Sequence, residues 1–168
     1  MVSAYDELPR TPANFVALSP LRYLERAAYI YPHQNAIIHG SRQITWRETY
    51  LRCCQFAHQL QNLGISKNDT VSVLLPNVPA MLEAHFAVPM AGAVLNTLNT
   101  RLDAKTLAFM LDHAESKVLL VDPEFAALAQ EALAMVNHEI YVIDVNDAEY
   151  EHAAIALSIG QIDYETWL

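Results

Sequence analysis

The chain has 168 residues, 53% of them hydrophobic and 17% charged, and its ten basic against nineteen acidic side chains give a net charge of -9. That length fits one domain able to bury roughly 70% of the surface its unfolded chain exposes. The apolar bias suits a sheet covered on both faces, and the negative charge repels nucleic-acid backbones and anionic membranes, which excludes nucleic-acid binding.

After an extended lead punctuated by Pro9, Pro12 and Pro20, the residues Leu21, Leu24, Ala27, Ala28 and Tyr31 recur at helical spacing. Ser19 is the expected cap, Pro20 the first position, and Pro32 the end of this helix. Ala36 to Ile38 and Gln43 to Thr45 flank His39-Gly40-Ser41-Arg42 and predict an antiparallel hairpin. Thr45 and Glu48 form a T-x-x-E capping box, which predicts a helix from Trp46 to about Leu63 with Gly64 as its left-handed C-terminal stop. Val71 to Leu75 reads as a strand buried on both faces. Asn77 is the expected cap of a helix from about Pro79 to Gly92, with Ala80, Ala84, Ala87 and Ala91 on one side. Pro89 should kink that helix or end it early. Ala93 to Asn96 is the next strand, Asp103 to Ala114 the next helix, and Lys117 to Val121 another strand. Asp122 and Pro123 start a helix to about Met135, and Glu139 to Ile143 reads as a further strand. Strands alternating with helices of ten or more residues predict a parallel, right-handed α/β sheet. Beyond Asp144 a weak helical pattern runs through Leu157, and Tyr164 to Leu168 reads as ending without a closing element.

The chemistry-bearing residues are sparse. The four glycines, Gly40, Gly64, Gly92 and Gly160, make neither G-x-G-x-x-G nor G-x-x-x-x-G-K-[ST], so no loop here can cradle phosphates in those ways. None of the seven histidines has metal-ligand spacing with another ligand on one helical face. Asp112 and His113 are helical neighbours whose side chains diverge by about 100°, so a solvated pair is expected rather than a dyad. His85 lies near the carboxyl edge of a strand, where open α/β sheets bind ligands, yet packing and a backbone hydrogen bond explain it better. Turn and cap roles likewise explain Asn96 to Arg101. Adjacent Cys53 and Cys54 form neither a conventional disulfide nor half of a C-x-x-C site. Met1 to Pro12 lack a secretory signal, and the apolar stretch Ala84 to Leu95 is too short to span a bilayer. A reduced, cytoplasmic protein with no membrane span is expected.

One ordered set of segments carries a resemblance. Ile44-Thr45-Trp46 with Glu48, Leu63-Gly64-Ile65 leading to Asp69-Thr70-Val71, Leu74-Leu75-Pro76-Asn77, Met90 to Asn96, and Leu119 to Asp122 together resemble the N-terminal portion of adenylate-forming (AMP-binding) acyl-CoA synthetases. Asn96 to Asp103 is similar to the medium-chain and plant-type acyl-activating branch, and Leu8 to Asn14 looks like the start of that branch.

The resemblance implies the α/β N-terminal subdomain of that fold, a mostly parallel sheet flanked by helices with a small β-hairpin near the start. It implies a lead over 1–17, the subdomain over 18–145, and a segment over 146–168 leading into the rest of an enzyme. In such enzymes ATP and a carboxylic acid give an acyl-adenylate and pyrophosphate, and the thiol of coenzyme A then displaces AMP. ATP, Mg and coenzyme A are implied for the whole enzyme and none for this chain alone. The family's phosphate loop, nucleotide contacts, hinge aspartate and catalytic lysine are expected beyond Leu168, so no catalytic, cofactor-binding or metal residue is assigned here. The chain alone is expected to be inactive. A role in fatty acid metabolism is implied, with a carboxylic acid and a nucleotide as partners and a homo-oligomeric state left open. The alternative is a noncatalytic α/β binding or interaction domain built on the same scaffold.

Overall fold

Short apolar runs buried on both faces form the central strands, and apolar residues recurring three and four apart form helices that cover them on each side. The computed structural model describes residues 9–149 and 157–168. The first part of the expected lead, 1–8, and most of the weak helical pattern before Leu157 lie outside them.

Helix α1, Leu21–Ile30, precedes a two-stranded antiparallel hairpin of β1, Asn35–His39, and β2, Arg42–Thr45. Gly40 turns this hairpin at φ +55°, a backbone angle that favours glycine. The main sheet is parallel throughout, in the order β4 (Val94–Thr97), β3 (Thr70–Leu74), β5 (Ser116–Val121), β6 (Tyr141–Asp144), β7 (Ile162–Asp163). Side chains alternate along β5, so Val118 and Leu120 join α2 (Trp46–Asn62) and α3 (Pro79–Met90) in one core. Leu119 and Val121 join α4 (Ala104–His113) in the other, together with Ala129 and Ala132 of α5 (Ala126–Leu133). On α3, the small residues Ala80, Ala84 and Ala87 are all buried, which lets this helix lie close to its neighbours.

Local chemistry explains most boundaries. At the start of α2, the Glu48 amide donates to Thr45 Oγ1 at 3.2 Å while the Thr45 amide donates to Glu48 Oε2 at 2.8 Å, completing the capping box. Helix α3 differs from expectation: its cap is Val78, with no side-chain hydrogen bond, rather than Asn77. A residue before proline is driven extended, Pro79 brings no amide hydrogen to the first turn, and the Met81 amide donates to the Val78 carbonyl at 3.0 Å. Pro89 sits in the last turn and the helix ends at Met90, short of Gly92. The helix expected from Asp122 is split into a 3-10 turn, Pro123–Phe125, and α5. The Asp122 carboxylate accepts from the Glu124 amide only two residues on, at 2.9 Å, which tightens the first turn.

The chain end departs most from its sequence reading. Ile162–Asp163 form β7 against β6, and Tyr164–Trp167 form a short helix, α6, with Tyr164 and Trp167 buried. The end therefore does have a closing element. Asp144 steers the chain into it by accepting from Ser158 Oγ at 2.5 Å and the Gly160 amide at 3.0 Å. Gly160 fits because a Cβ there would stand 2.7 Å from the Asp144 nitrogen.

At the opposite, amino edge of the sheet, Lys117 Nζ lies 2.7 Å from Asp69 Oδ1, and the Ser66 amide and hydroxyl donate to Asp69 Oδ2. The lysine first, and then Ser66, hold the Asp69 carboxyl down at about 2. A depressed carboxyl contributes stability that is present above its unfolded value, about 3.9, and lost as pH falls through its folded one. Urea unfolding should therefore show an acid-side loss between about pH 4 and 2 that is reduced in Asp69→Asn. Identical slopes in both proteins would remove Asp69 as its source.

Candidate functional site

The strand order reverses direction at one place. From β3 the chain moves outward to β4, then returns across to β5 and continues to β6 and β7. A crevice beyond the carboxyl ends of β3 and β5 is the place where such a sheet offers a ligand site. Here the Asp122 amide donates to the Leu74 carbonyl at 3.1 Å, so the two strands stay joined past their ends. Asp122 is buried, and burial, assisted by the charges of Glu124 and Asp147, raises its carboxyl above the usual range. Beside it the hairpin is tied to the loop after β6: His39 Nε2 lies 2.7 Å from Asp147 Oδ2, and the Ser41 amide and hydroxyl donate to Glu149 at 2.9 and 2.6 Å. This edge is rich in carboxylates, with Asp122, Glu124, Asp147 and Glu149 beside one another. Among the described residues no group of three His, Cys, Asp or Glu is placed to hold a metal ion.

The sequence candidates are dispersed. His85 is exposed on α3, and its Nδ1 donates to the Met81 carbonyl at 2.8 Å. It lines an open apolar groove with Ile37 and Ile38 of the hairpin. Asn96 donates to Ser72 Oγ at 3.0 Å, and Ser72 Oγ meets Ser116 Oγ at 2.6 Å, forming a small polar network within the sheet. Asn99 serves its own turn by accepting from the Arg101 amide at 2.9 Å. Asp112 makes no dyad with His113. It instead accepts from the Asn137 amide and side chain at 3.0 and 2.6 Å and meets His138 Nδ1 at 3.2 Å, joining α4 to the loop before β6. Cys53 and Cys54 are both free thiols. Burial first, and the Glu83 charge second, push Cys53 up to about 12, which leaves it an unreactive thiol.

The most connected polar cluster lies outside the residues to which the sequence points. Arg52 on α2 donates through Nε to Glu83 Oε1 at 2.5 Å and through Nη2 to Oε2 at 3.2 Å. Its other edge grips Glu165 of α6 with two bonds of 2.8 Å. The Tyr164 hydroxyl donates to Glu83 Oε2 at 2.5 Å. Glu83 is fully buried. Burial pulls the Arg52 pKa down, but hydrogen bonds and charge from Glu165 and Glu83 outweigh it and leave the guanidinium above its ordinary range. Burial, then Glu83, raises the Tyr164 phenol well above its ordinary value. The cluster joins α2, α3 and α6; Arg52 borders an open groove with Arg42 and Gln43, yet both edges of its guanidinium are taken by Glu83 and Glu165, so its work is architectural. One signal for it was present: Glu83 shares the spacing of Ala80, Ala84 and Ala87, which places a carboxylate on a buried face.

The comparisons agree with this scaffold. The family described as AMP-binding enzyme matches residues 24–161. The chain is 47% identical to an acetate–CoA ligase of Humulus lupulus over 172 aligned positions, covering 97% of the chain and 30% of that protein. It is 55% identical to a peroxisomal butyrate–CoA ligase of Arabidopsis thaliana over 131 positions, covering 78% of the chain and 23% of that protein. Among solved structures, a long-chain-fatty-acid CoA ligase of Rhodopseudomonas palustris superposes with a TM-score of 0.77 at 21% identity, over 89% of this chain and 36% of that one. The chain thus spans about 30% of the length of the acetate–CoA ligase. With the family match covering most of its length and the same α/β layers in the structure, the chain belongs to the AMP-binding enzyme family.

Proposed function

We propose that this chain is the N-terminal α/β scaffold of an ATP-dependent acid–thiol ligase that converts a carboxylic acid, through its acyl-adenylate, to an acyl-CoA. The observation that carries this reading is the family match over 24–161 together with coverage of 97% of this chain and 30% of the acetate–CoA ligase. ATP, Mg and coenzyme A would be handled by the whole enzyme. No residue of this chain is proposed as catalytic or as a contact to them. The division into a lead over 1–17, a subdomain over 18–145 and a segment over 146–168 is part of the same proposal.

The purified chain should therefore release no pyrophosphate when given ATP, Mg and short- or medium-chain acids. Carboxylate-dependent release, after contaminating full-length enzyme is excluded, would overturn this reading.

The substrate is proposed to be a short- or medium-chain fatty acid, because ligases named for acetate and butyrate are among the relatives; an acid screen with the full enzyme tests this. Placement in the cytoplasm rests on the two free thiols, whereas the butyrate–CoA ligase is named as peroxisomal. Cell fractionation decides between them. No helix among the described residues is long and apolar enough to cross a membrane. Self-association into a homo-oligomer is proposed through β4, the edge strand whose Val94 is 49% exposed. A monodisperse monomer in light scattering at high concentration would count against it.

A further inference from the structure

We propose that the groove between α1 and the start of α2 docks an acidic peptide segment carrying an apolar anchor. On α1, Arg22, Glu25, Arg26 and Tyr29 recur at spacings of three and four, and Arg47 and Leu51 do the same on α2, so two helical faces converge on one open trough of about 930 Å³. Three arginines face one glutamate there, in a chain whose net charge is -9. Among the described residues Arg42 and Arg52 pair with carboxylates, whereas Arg22, Arg26 and Arg47 form no salt bridge. Between them lie apolar surfaces that water still covers, with Tyr29 86% and Leu51 49% exposed.

Charge complementarity names the occupant. Cations gathered around exposed apolar side chains match a segment that brings carboxylates on either side of a hydrophobic residue. A second copy docking by two-fold symmetry would bring the same net-positive set, three arginines and one glutamate, against itself. An anionic bilayer is flat, so it would bring its charge within a Debye length of about 8 Å of acidic residues outside the trough in a chain of net charge -9, whereas a narrow peptide stays inside the trough. The proposal is independent of the ligase reading, and either can fail without the other.

The test is fluorescence anisotropy of a labelled synthetic peptide with glutamates flanking a central leucine and phenylalanine, titrated with the full chain. Saturable binding that weakens with added salt is expected, with none for the same peptide carrying lysines in place of glutamates. The Arg26→Glu/Arg47→Glu variant should weaken binding about tenfold or more, and Tyr29→Ala should weaken it less. Both changes lie on exposed side chains, and an unchanged circular dichroism spectrum confirms the fold. Absence of saturable binding, or equal affinity for parent and double variant, overturns the proposal. So does finding that the double variant instead loses binding to phosphatidylserine vesicles, or loses a concentration-dependent dimer, because the face would then belong to a bilayer or to a second copy.

Discussion

Arg52→Met is expected to destabilise the chain by about 3 kcal/mol, because it leaves the Glu83 carboxylate buried with only the Tyr164 hydroxyl to satisfy it. Breaking a buried ion pair from one side costs about 3–5 kcal/mol, and the remaining tyrosine bond argues for the lower end of that range. A whole domain is stable by only about 5–15 kcal/mol, so the shift in urea midpoint should be large. The control is the triple change Arg52→Met, Glu83→Leu, Tyr164→Phe. It removes every member of the cluster that would be stranded, and it should recover most of the loss, since apolar replacements of a buried pair are often neutral or better. A midpoint for Arg52→Met equal to the parent's would show that Glu83 finds water or another partner. A triple variant as unstable as the single one would show that packing around Arg52, rather than its charge, holds these helices together.

Phe56→Ala should cost about 3–5 kcal/mol by leaving a cavity at the meeting point of α2 and α6. Phe56 is fully buried, and its ring meets those of Tyr164 and Trp167 edge-on at centroid distances of 5.4 and 5.3 Å. Such aromatic pairs contribute about 0.5–1.5 kcal/mol beyond the area they bury. A double-mutant cycle of Phe56→Ala with Trp167→Ala should therefore show coupling of about that size. Unfolding is best followed by circular dichroism, because Trp167 is one of only two tryptophans and its removal changes the fluorescence signal. Strict additivity would mean that α6 is held by β7 and the Glu165 bonds alone.

The legible parts of the fold are those whose causes lie within a few residues. Thr45 and Glu48 are three apart and cap α2 as their spacing requires. Gly40 sits where the hairpin needs a left-handed residue, and the apolar runs around Val71 and Leu119 become strands within one residue of their expected bounds. For Tyr164 to Trp167 the local signal is a single cap residue, Asp163, whose carboxylate accepts from the Glu165 and Thr166 amides. β7 has only two residues, too few to display a period, and it is fixed by pairing with Ile143 and Asp144. Asp112 illustrates the same limit at the candidate site, because its real partners, Asn137 and His138, lie 25 and 26 positions away. The family resemblance was legible because it rests on several segments in order, whereas the arginine groove arises only when α1 packs on α2.

The closing helix also sets an order of assembly. Tyr164 reaches back 81 positions to Glu83, and Glu165 reaches back 113 to Arg52. Closing so long a loop adds little to the equilibrium cost, since each doubling of loop length adds only about 0.6 kcal/mol. Its effect is on timing. At roughly 5–20 residues per second of synthesis, Glu83 would be made about 4–16 s before Tyr164. For that interval the face of α2 that carries Phe56 has no aromatic partner, and the nascent chain is most exposed to chaperones or to mispairing with a neighbour.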